Sequence, residues 1–342
     1  MFELGTEAES RAARLHREAI VVDCCAMMHV VERPHLERLV EGGVDATVIT
    51  LAFDEDLLGA LHNIDRAYRL IGENDDLATF CTTVAEIRAA KRAGKVAVVF
   101  GFQDSKPIGD DLALLRLVHR LGIRVVQLTY TGANLAGDGC GELRNGGLTY
   151  FGLDLVAELN NLRVLIDVSH SSDSVVFDAI RASQQPIAIT HANVRVFRNT
   201  FRNKSDEQIR ALAAQRGVMG ITSHPRFVTG RDDPSIADVL DNVDHVVKLS
   251  GAAHVGIGLD LVEGYKERKT IPEVLRLWRT RRPDVFGSVE DFFTMPYAAG
   301  IEDVTKLPNL TRGLDARGYS DDDIHGILGG NWLDLFERVW GA

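Results

Sequence analysis

Eight short apolar runs rich in β-branched residues recur along the chain: 19–24 (AIVVDC), 44–53 (VDATVITLAF), 96–103 (VAVVFGFQ), 124–130 (RVVQLTY), 163–170 (RVLIDVSH), 186–191 (PIAITH), 218–224 (VMGITSH) and 254–260 (HVGIGLD). Between them, segments such as 109–121, 150–160, 173–183 and 205–215 repeat their apolar residues at three and four, the period of a helix with one buried face. Strands that are apolar on both faces belong in a parallel sheet covered on its outside. Eight such units, with no Pro- or Ser-rich linker to divide them, predict one α/β domain over 1–342, a (β/α)8 TIM barrel rather than an open doubly wound sheet. Ser205 with Gln208 fits a capping box, and Gly217 fits a helix stop. The weakly periodic 261–297 predicts a loop with helix decorating the barrel's catalytic face, followed by C-terminal helices over 319–327 and 331–340.

Composition narrows the function. At 342 residues and 45% hydrophobic content the chain can bury a large core. Its 49 acidic residues outweigh 38 basic ones, and no stretch concentrates Lys and Arg as a phosphate-tracking surface would, so nucleic acid is not an expected partner. The start, Met1 to Glu7, is acidic where a signal peptide is basic and then apolar, and no run approaches the roughly 18 apolar residues of a membrane span. The expectation is a soluble, cytoplasmic protein with no membrane partner. Cys24, Cys25, Cys81 and Cys140 form no zinc-knuckle spacing and no disulfide framework, and read as reduced thiols.

In such a barrel the chemistry sits at the C-terminal ends of the strands. Those ends read Asp23-Cys24-Cys25, Phe53, Gln103, Tyr130, His170, His191, His224 and Asp260. Three of eleven histidines close consecutive strands and an aspartate closes the next. Imidazoles and a carboxylate converging on one mouth are what a divalent ion of the zinc or iron type requires. A single histidine there could equally cap its strand by bonding loop backbone; four such groups in order argue for the ion. Gly256 and Gly258 allow close backbone approach beside Asp260, and Arg195, Arg198 and Arg202 follow His191 closely enough for a guanidinium to meet a small-molecule substrate's carboxylate.

Several stretches carry a family pattern in order: IDVSH (166–170), THANVR (190–195), RNKSDEQI (202–209), GIGLD (256–260), GIEDV (300–304) with PNL (308–310), and ILGGNW (327–332). From about residue 19 onward the chain resembles the membrane (renal) dipeptidase family, peptidase family M19, zinc peptidases on a metallo-dependent hydrolase barrel. The resemblance implies that His170 and His191 are metal ligands, that Asp260 lies near both metal and water, that Arg202 holds the substrate carboxylate, and that the chain forms a homodimer. That family binds two zinc ions, through an HxD pair ending the first barrel strand, a bridging glutamate ending the third and the aspartate after the eighth, with the two histidines. Here Cys25 and Met27 stand in the HxD register, Gln103 replaces the bridging glutamate, and Tyr130 replaces a histidine that contacts substrate.

Two dications a few ångströms apart need bridging negative charge, which the neutral amide of Gln103 lacks. The expectation is therefore one ion held by His170, His191 and Asp260. Cys25 is either a soft fourth ligand or plain packing. Zn2+ is the expected ion, with Fe2+, another divalent metal or none as the alternatives. Asp260 would act as general base, His224 as fourth ligand or general acid, Tyr130 or His224 would steady the oxyanion, and Gln103 would contact substrate. The function this implies is hydrolysis of a dipeptide or small amino-acid-like amide with a free carboxylate. The alternatives are a non-peptidase step (lyase, isomerase or oxidative tailoring) on the same barrel, and a metal-free binding protein or pseudoenzyme.

Overall fold

In the computed structural model, which describes residues 5–341, nine parallel strands form one sheet. They are β1 (Val22–Met27), β2 (Ala46–Ala52), β3 (Ala78–Phe80), β4 (Val96–Phe102), β5 (Ile123–Gln127), β6 (Leu165–Asp167), β7 (Ala188–Ala192), β8 (Val218–Ile221) and β9 (Val255–Ile257). β1 pairs with both β2 and β9, and β2 pairs with β4, so eight strands close into a barrel. The ninth, β3, lies along the first half of β4, with Ala78 opposite Val96. All eight expected runs are barrel strands. The segment containing β3 has too short an apolar run to declare itself, and its pairing depends on an edge that β4 offers.

Helices occupy the expected intervals: Leu112–Arg120, Tyr150–Asn161, Asp173–Ala182 and Asp206–Ala214. Ser205 and Gln208 make the reciprocal capping box. The left-handed residue that ends this helix is Arg216, φ 62°, rather than Gly217. Gly217 is needed for a different reason, since a Cβ there would lie 2.4 Å from Ile187 O.

The barrel interior is plugged from its N-terminal end. Asp321–His325 continues through a wide turn at Gly326–Gly330 into the helix Asn331–Trp340, which buries Trp332, Leu335 and Phe336 among Val22, Ala46, Val48, Val99, Val125 and Val218. The Trp332 Nε1–H donates to Ile257 O at 3.0 Å. A Cβ on Gly256 would sit 2.3 Å from that nitrogen, so the glycine is what admits the indole. With one end filled, the other carries the site. There, after β9, four short helices cross the 261–297 region: Glu263–Glu267, Glu273–Arg281, Pro283–Phe286 and Val289–Thr294. Among the described residues no helix is long and apolar enough to cross a membrane.

Candidate active site

The strand-end residues meet at the mouth, most of them one to three residues beyond the paired strand: Gln103 follows β4 directly, Tyr130, His170, His224 and Asp260 lie three past β5, β6, β8 and β9, and His191 lies within β7. Gln103, Tyr130, His170, His224 and Asp260 thereby line one opening.

At the floor, His170 Nε2 and His191 Nε2 face each other at 3.1 Å. The protons can be assigned. Arg202 Nη2 is 3.2 Å from His170 Nε2 and can only donate, so that nitrogen presents a lone pair. Thr190 Oγ1 gives its proton to Asp167 Oδ2 at 2.7 Å and therefore accepts from His191 Nδ1, also at 2.7 Å, which leaves His191 Nε2 with a lone pair as well. Burial, with the Arg202 charge beside them, pushes both imidazoles well below their ordinary pKa, so neither takes a proton at neutral pH. His191 Nε2 thus presents a free lone pair in a buried site, beside a His170 Nε2 whose lone pair is held by the Arg202 N–H until an ion takes its place.

Asp260 completes the donor set. Its backbone is left-handed, φ 56°, held by its N–H on Cys25 O at 3.2 Å and by Tyr297 Oη, which donates to its carbonyl at 3.3 Å. A non-glycine residue in that conformation is strained, and such strain collects at functional positions. Gly258 makes room just before it, since a Cβ there would fall 1.9 Å from Thr190 O. Desolvation raises the Asp260 carboxyl to about 6 while Arg202 and Arg279 pull it down, so it is ionised at pH 7.

Cys25 turns inward. Its Sγ lies 3.9 Å from Asp260 Oδ1 and 3.3 Å from Gln103 Nε2, and ligand atoms of Cys25, His191 and Asp260 all fall within 4.8 Å of one another. Burial and the Asp260 carboxylate push the thiol well above its usual pKa, so without an ion it stays protonated. Gln103 spends its amide on Thr50 Oγ1 (2.7 Å) and Cys25, and brings no charge. The residues fit one dication: Cys25, His191 and Asp260 bring their ligand atoms together, and His170 Nε2 stands 3.1 Å from His191 Nε2. They do not fit two.

A second trio with the same spacing, His29, His35 and Glu263, lies nearby. There the Gly264 N–H fills His29 Nε2 at 3.2 Å, and the Arg38 guanidinium 3.7 Å from Glu263 already supplies positive charge.

Above the floor, Met27, Gln103, Tyr130, His170, His224 and Asp260 line a cavity. Tyr130 stacks on His170 with centroids 4.3 Å apart, and its phenol is pushed well above its usual pKa by burial. His224 stacks on Phe227 at 4.6 Å, its buried Nδ1 has no partner, and burial pushes its pKa well down. Arg202 is buried beneath the cavity rather than lining it, donating to Ser169 O at 3.2 Å and His191 O at 2.7 Å. Arg195 forms a two-bonded pair with Asp173 and serves the loop. The inward-facing residues unforeseen from sequence are Asp167 and Thr190, which orient His191, and Trp278 and Arg279 on the helix Glu273–Arg281. Asp167 and Thr190 stood inside recognised strands and could have been found by asking what holds each histidine. Trp278 and Arg279 sit in LRLWRTRRPD, whose basic character reads as a solvated face.

Comparison with known proteins identifies the family. The model of the membrane dipeptidase family (peptidase family M19) matches residues 9–279. A protein named Dipeptidase aclJ from Aspergillus oryzae is 28% identical over 283 residues, covering 81% of this chain and 60% of its own. Dipeptidase verJ from Clonostachys rogersoniana is 29% identical over 287 residues, covering 83% and 66%. The chain thus spans roughly three fifths to two thirds of the length of these relatives. Among solved structures, an amidohydrolase from Pseudomonas aeruginosa superimposes with a TM-score of 0.87 at 29% identity, over 97% of this chain and 99% of that one. With the family model matched across most of the barrel and the same closed (β/α)8 architecture, this chain belongs to the membrane dipeptidase family, peptidase family M19.

Proposed function

We propose that the chain is a metal-dependent hydrolase that cleaves the amide of a dipeptide or small N-acyl amino acid with a free carboxylate, working with one divalent ion, zinc in preference to iron. The observation that carries this is the cluster of Cys25, His191 and Asp260, whose ligand atoms all lie within 4.8 Å of one another, with His170 Nε2 3.1 Å from His191 Nε2 at the floor of the cavity. The dipeptidase names of the fungal relatives support the reaction class.

An ion held by His170, His191 and Asp260, with Cys25 within reach, would supply Lewis-acid polarisation of the scissile carbonyl and a more acidic water. The chain's own groups do the rest. Asp260, ionised above about pH 6, takes the proton of the attacking water. Tyr130 and His224 are both uncharged at pH 7 and donate hydrogen bonds to the developing oxyanion; the low pKa of His224 suits it to that role or to ligation better than to that of a charged acid. Thr190 and Asp167 fix the His191 tautomer. Arg202 sets positive charge beneath the site and, through Ser169 O, His170 Nε2 and His191 O, holds the two histidine segments in place. Gln103 orders the wall beside Cys25.

The replaced ligands at Cys25, Met27 and Gln103 favour a second reading, in which the same single-ion site performs a lyase, isomerase or oxidative step on a small metabolite. The test is metal content per chain after growth in metal-supplemented medium, then turnover of a dipeptide and N-acyl amino acid panel before and after chelation. One ion per chain, lost in His170→Ala and in His191→Ala together with hydrolysis, supports the proposal. Metal without hydrolysis favours the second reading, and neither metal nor turnover leaves a binding protein.

A further inference from the structure

The helix Glu273–Arg281 buries only Trp278 and Arg279. Arg279 is 6% exposed, and it lines the same cavity as His170, His224 and Asp260. Its Nη1 donates to the carbonyls of Phe286 and Ser288, and its guanidinium lies over the Phe292 ring, 5.0 Å from the centroid. Among the described residues, Nε and Nη2 bond no protein acceptor, and no carboxylate stands within ion-pair distance of this side chain. Burial lowers its pKa to about 10, offset first by the Tyr130 hydroxyl and then by Asp291, whose carboxylate is engaged with the Ser288 N–H at 2.8 Å. Exposed arginines of this chain are better matched: Arg33 pairs with Asp76 and Arg231 with Asp238.

A guanidinium taken out of water without an anion is costly, and a fixed donor fork aimed into a cavity is suited to a planar carboxylate. Around it the cavity wall is aromatic: Phe53, Tyr130, Phe227, Trp278, Phe286 and Phe292. Whatever carries the anion therefore carries an apolar or aromatic group next to it.

We infer that Arg279 is the carboxylate anchor of this site, and that its ligands are compact anionic amides, dipeptides or N-acyl amino acids, whose residue bearing the free carboxylate has an apolar or aromatic side chain. The inference rests on the hydrolase reading only for the amide in these ligands; the binding it describes needs no turnover. Arg202, committed to two carbonyls below the cavity, is left to position His170 and His191.

The test uses two probes that differ only in charge, N-acetyl-L-phenylalanine and N-acetyl-L-phenylalaninamide, titrated by calorimetry into the metal-supplemented full chain and into Arg279→Met and Arg279→Lys. The natural chain binds the acid about 30-fold or more tightly than the amide. Arg279→Met abolishes that preference by weakening the acid alone, Arg279→Lys restores part of it, and the retained amide affinity reports an intact pocket. In turnover of glycyl-phenylalanine, the loss in Arg279→Met falls mainly on KM. Equal binding of the two probes by the natural chain, binding of neither, or an undiminished preference in a folded Arg279→Met overturns the inference. Acid-selective binding without hydrolysis of any amide leaves the anchor standing and removes the hydrolase reading; hydrolysis with a preference that ignores Arg279 does the reverse.

Discussion

At the scale of single residues, the site depends on protons being in particular places. His191 can offer its Nε2 lone pair only while Nδ1 keeps its hydrogen, and the one group that accepts that hydrogen is Thr190 Oγ1, itself polarised by Asp167. Thr190→Val keeps the shape of the side chain and removes the acceptor, so the tautomer is no longer fixed and a buried N–H loses its partner. Metal affinity in the valine variant should fall about 10- to 100-fold, while Thr190→Ser stays near the natural value. Competition with a chromophoric chelator measures both, and equal affinities in all three proteins would show that the hydroxyl does not orient the ring. The same proton argument separates what was legible in the sequence from what was not. His170, His191 and Asp260 could be picked out because residue type and strand-end position together imply a ligand. Thr190 and Asp167 look like any strand residues until the hydrogen bonds are drawn. Arg202 could be placed near the histidines, but its burial beneath the cavity comes from where the loop 193–205 folds back, which no local pattern encodes.

At the scale of elements, the barrel strands were legible because parallel strands buried on both faces need unbroken β-branched runs, and β1, β2 and β4 are buried at every position. The three-residue β3 carries no such signal, and the helix Glu273–Arg281 carries a misleading one, because its arginines suggest solvent on a face that closes over the mouth. The C-terminal helix was placed correctly at 331–340, yet its role as the plug was not visible; Trp332 enters the barrel only because Gly256 lies across from it. Removing the indole in Trp332→Ala should cost about 3–5 kcal/mol by urea denaturation. Gly256→Ala should also destabilise, since its Cβ would meet Trp332 Nε1 at 2.3 Å. The two effects are not independent: in the double variant the alanine Cβ has space to occupy, so the combined loss should be smaller than the sum. Strict additivity would mean that the glycine is required for something other than the indole.

At the scale of the whole molecule, the barrel is sewn shut by aspartate side chains where its ladder is thinnest. β1 and β9 share one paired position, Asp23 with Ile257, and β6 and β7 share one, Asp167 with Ala188. At each seam an aspartate reaches across to the neighbouring chain: Asp23 Oδ1 accepts the Leu259 N–H at 2.8 Å, and Asp167 Oδ1 accepts the Thr190 N–H at 3.0 Å. The first of these closes the ring, and it does so at a point where desolvation, with Asp260 and Glu263 nearby, raises the Asp23 carboxyl from 3.8 to about 7. Because the folded pKa lies above the unfolded one, the folded chain holds a proton that the unfolded chain releases once the pH passes 3.8. Stability from this group is complete below that pH and is lost as the pH rises through 7. Asp23→Asn keeps an oxygen for the Leu259 N–H and removes the titration. In chelator-treated protein, the stability of the natural chain relative to Asp23→Asn should fall by roughly 3 kcal/mol between pH 5 and pH 8, read from urea midpoints at each pH. A bound cation would draw the same carboxyl down and shrink the difference, so repeating the series with metal restored should flatten the curve. A relative stability that does not change with pH in the stripped protein would mean that Asp23 is already ionised at pH 5, and that the seam is held by a carboxylate rather than by an acid.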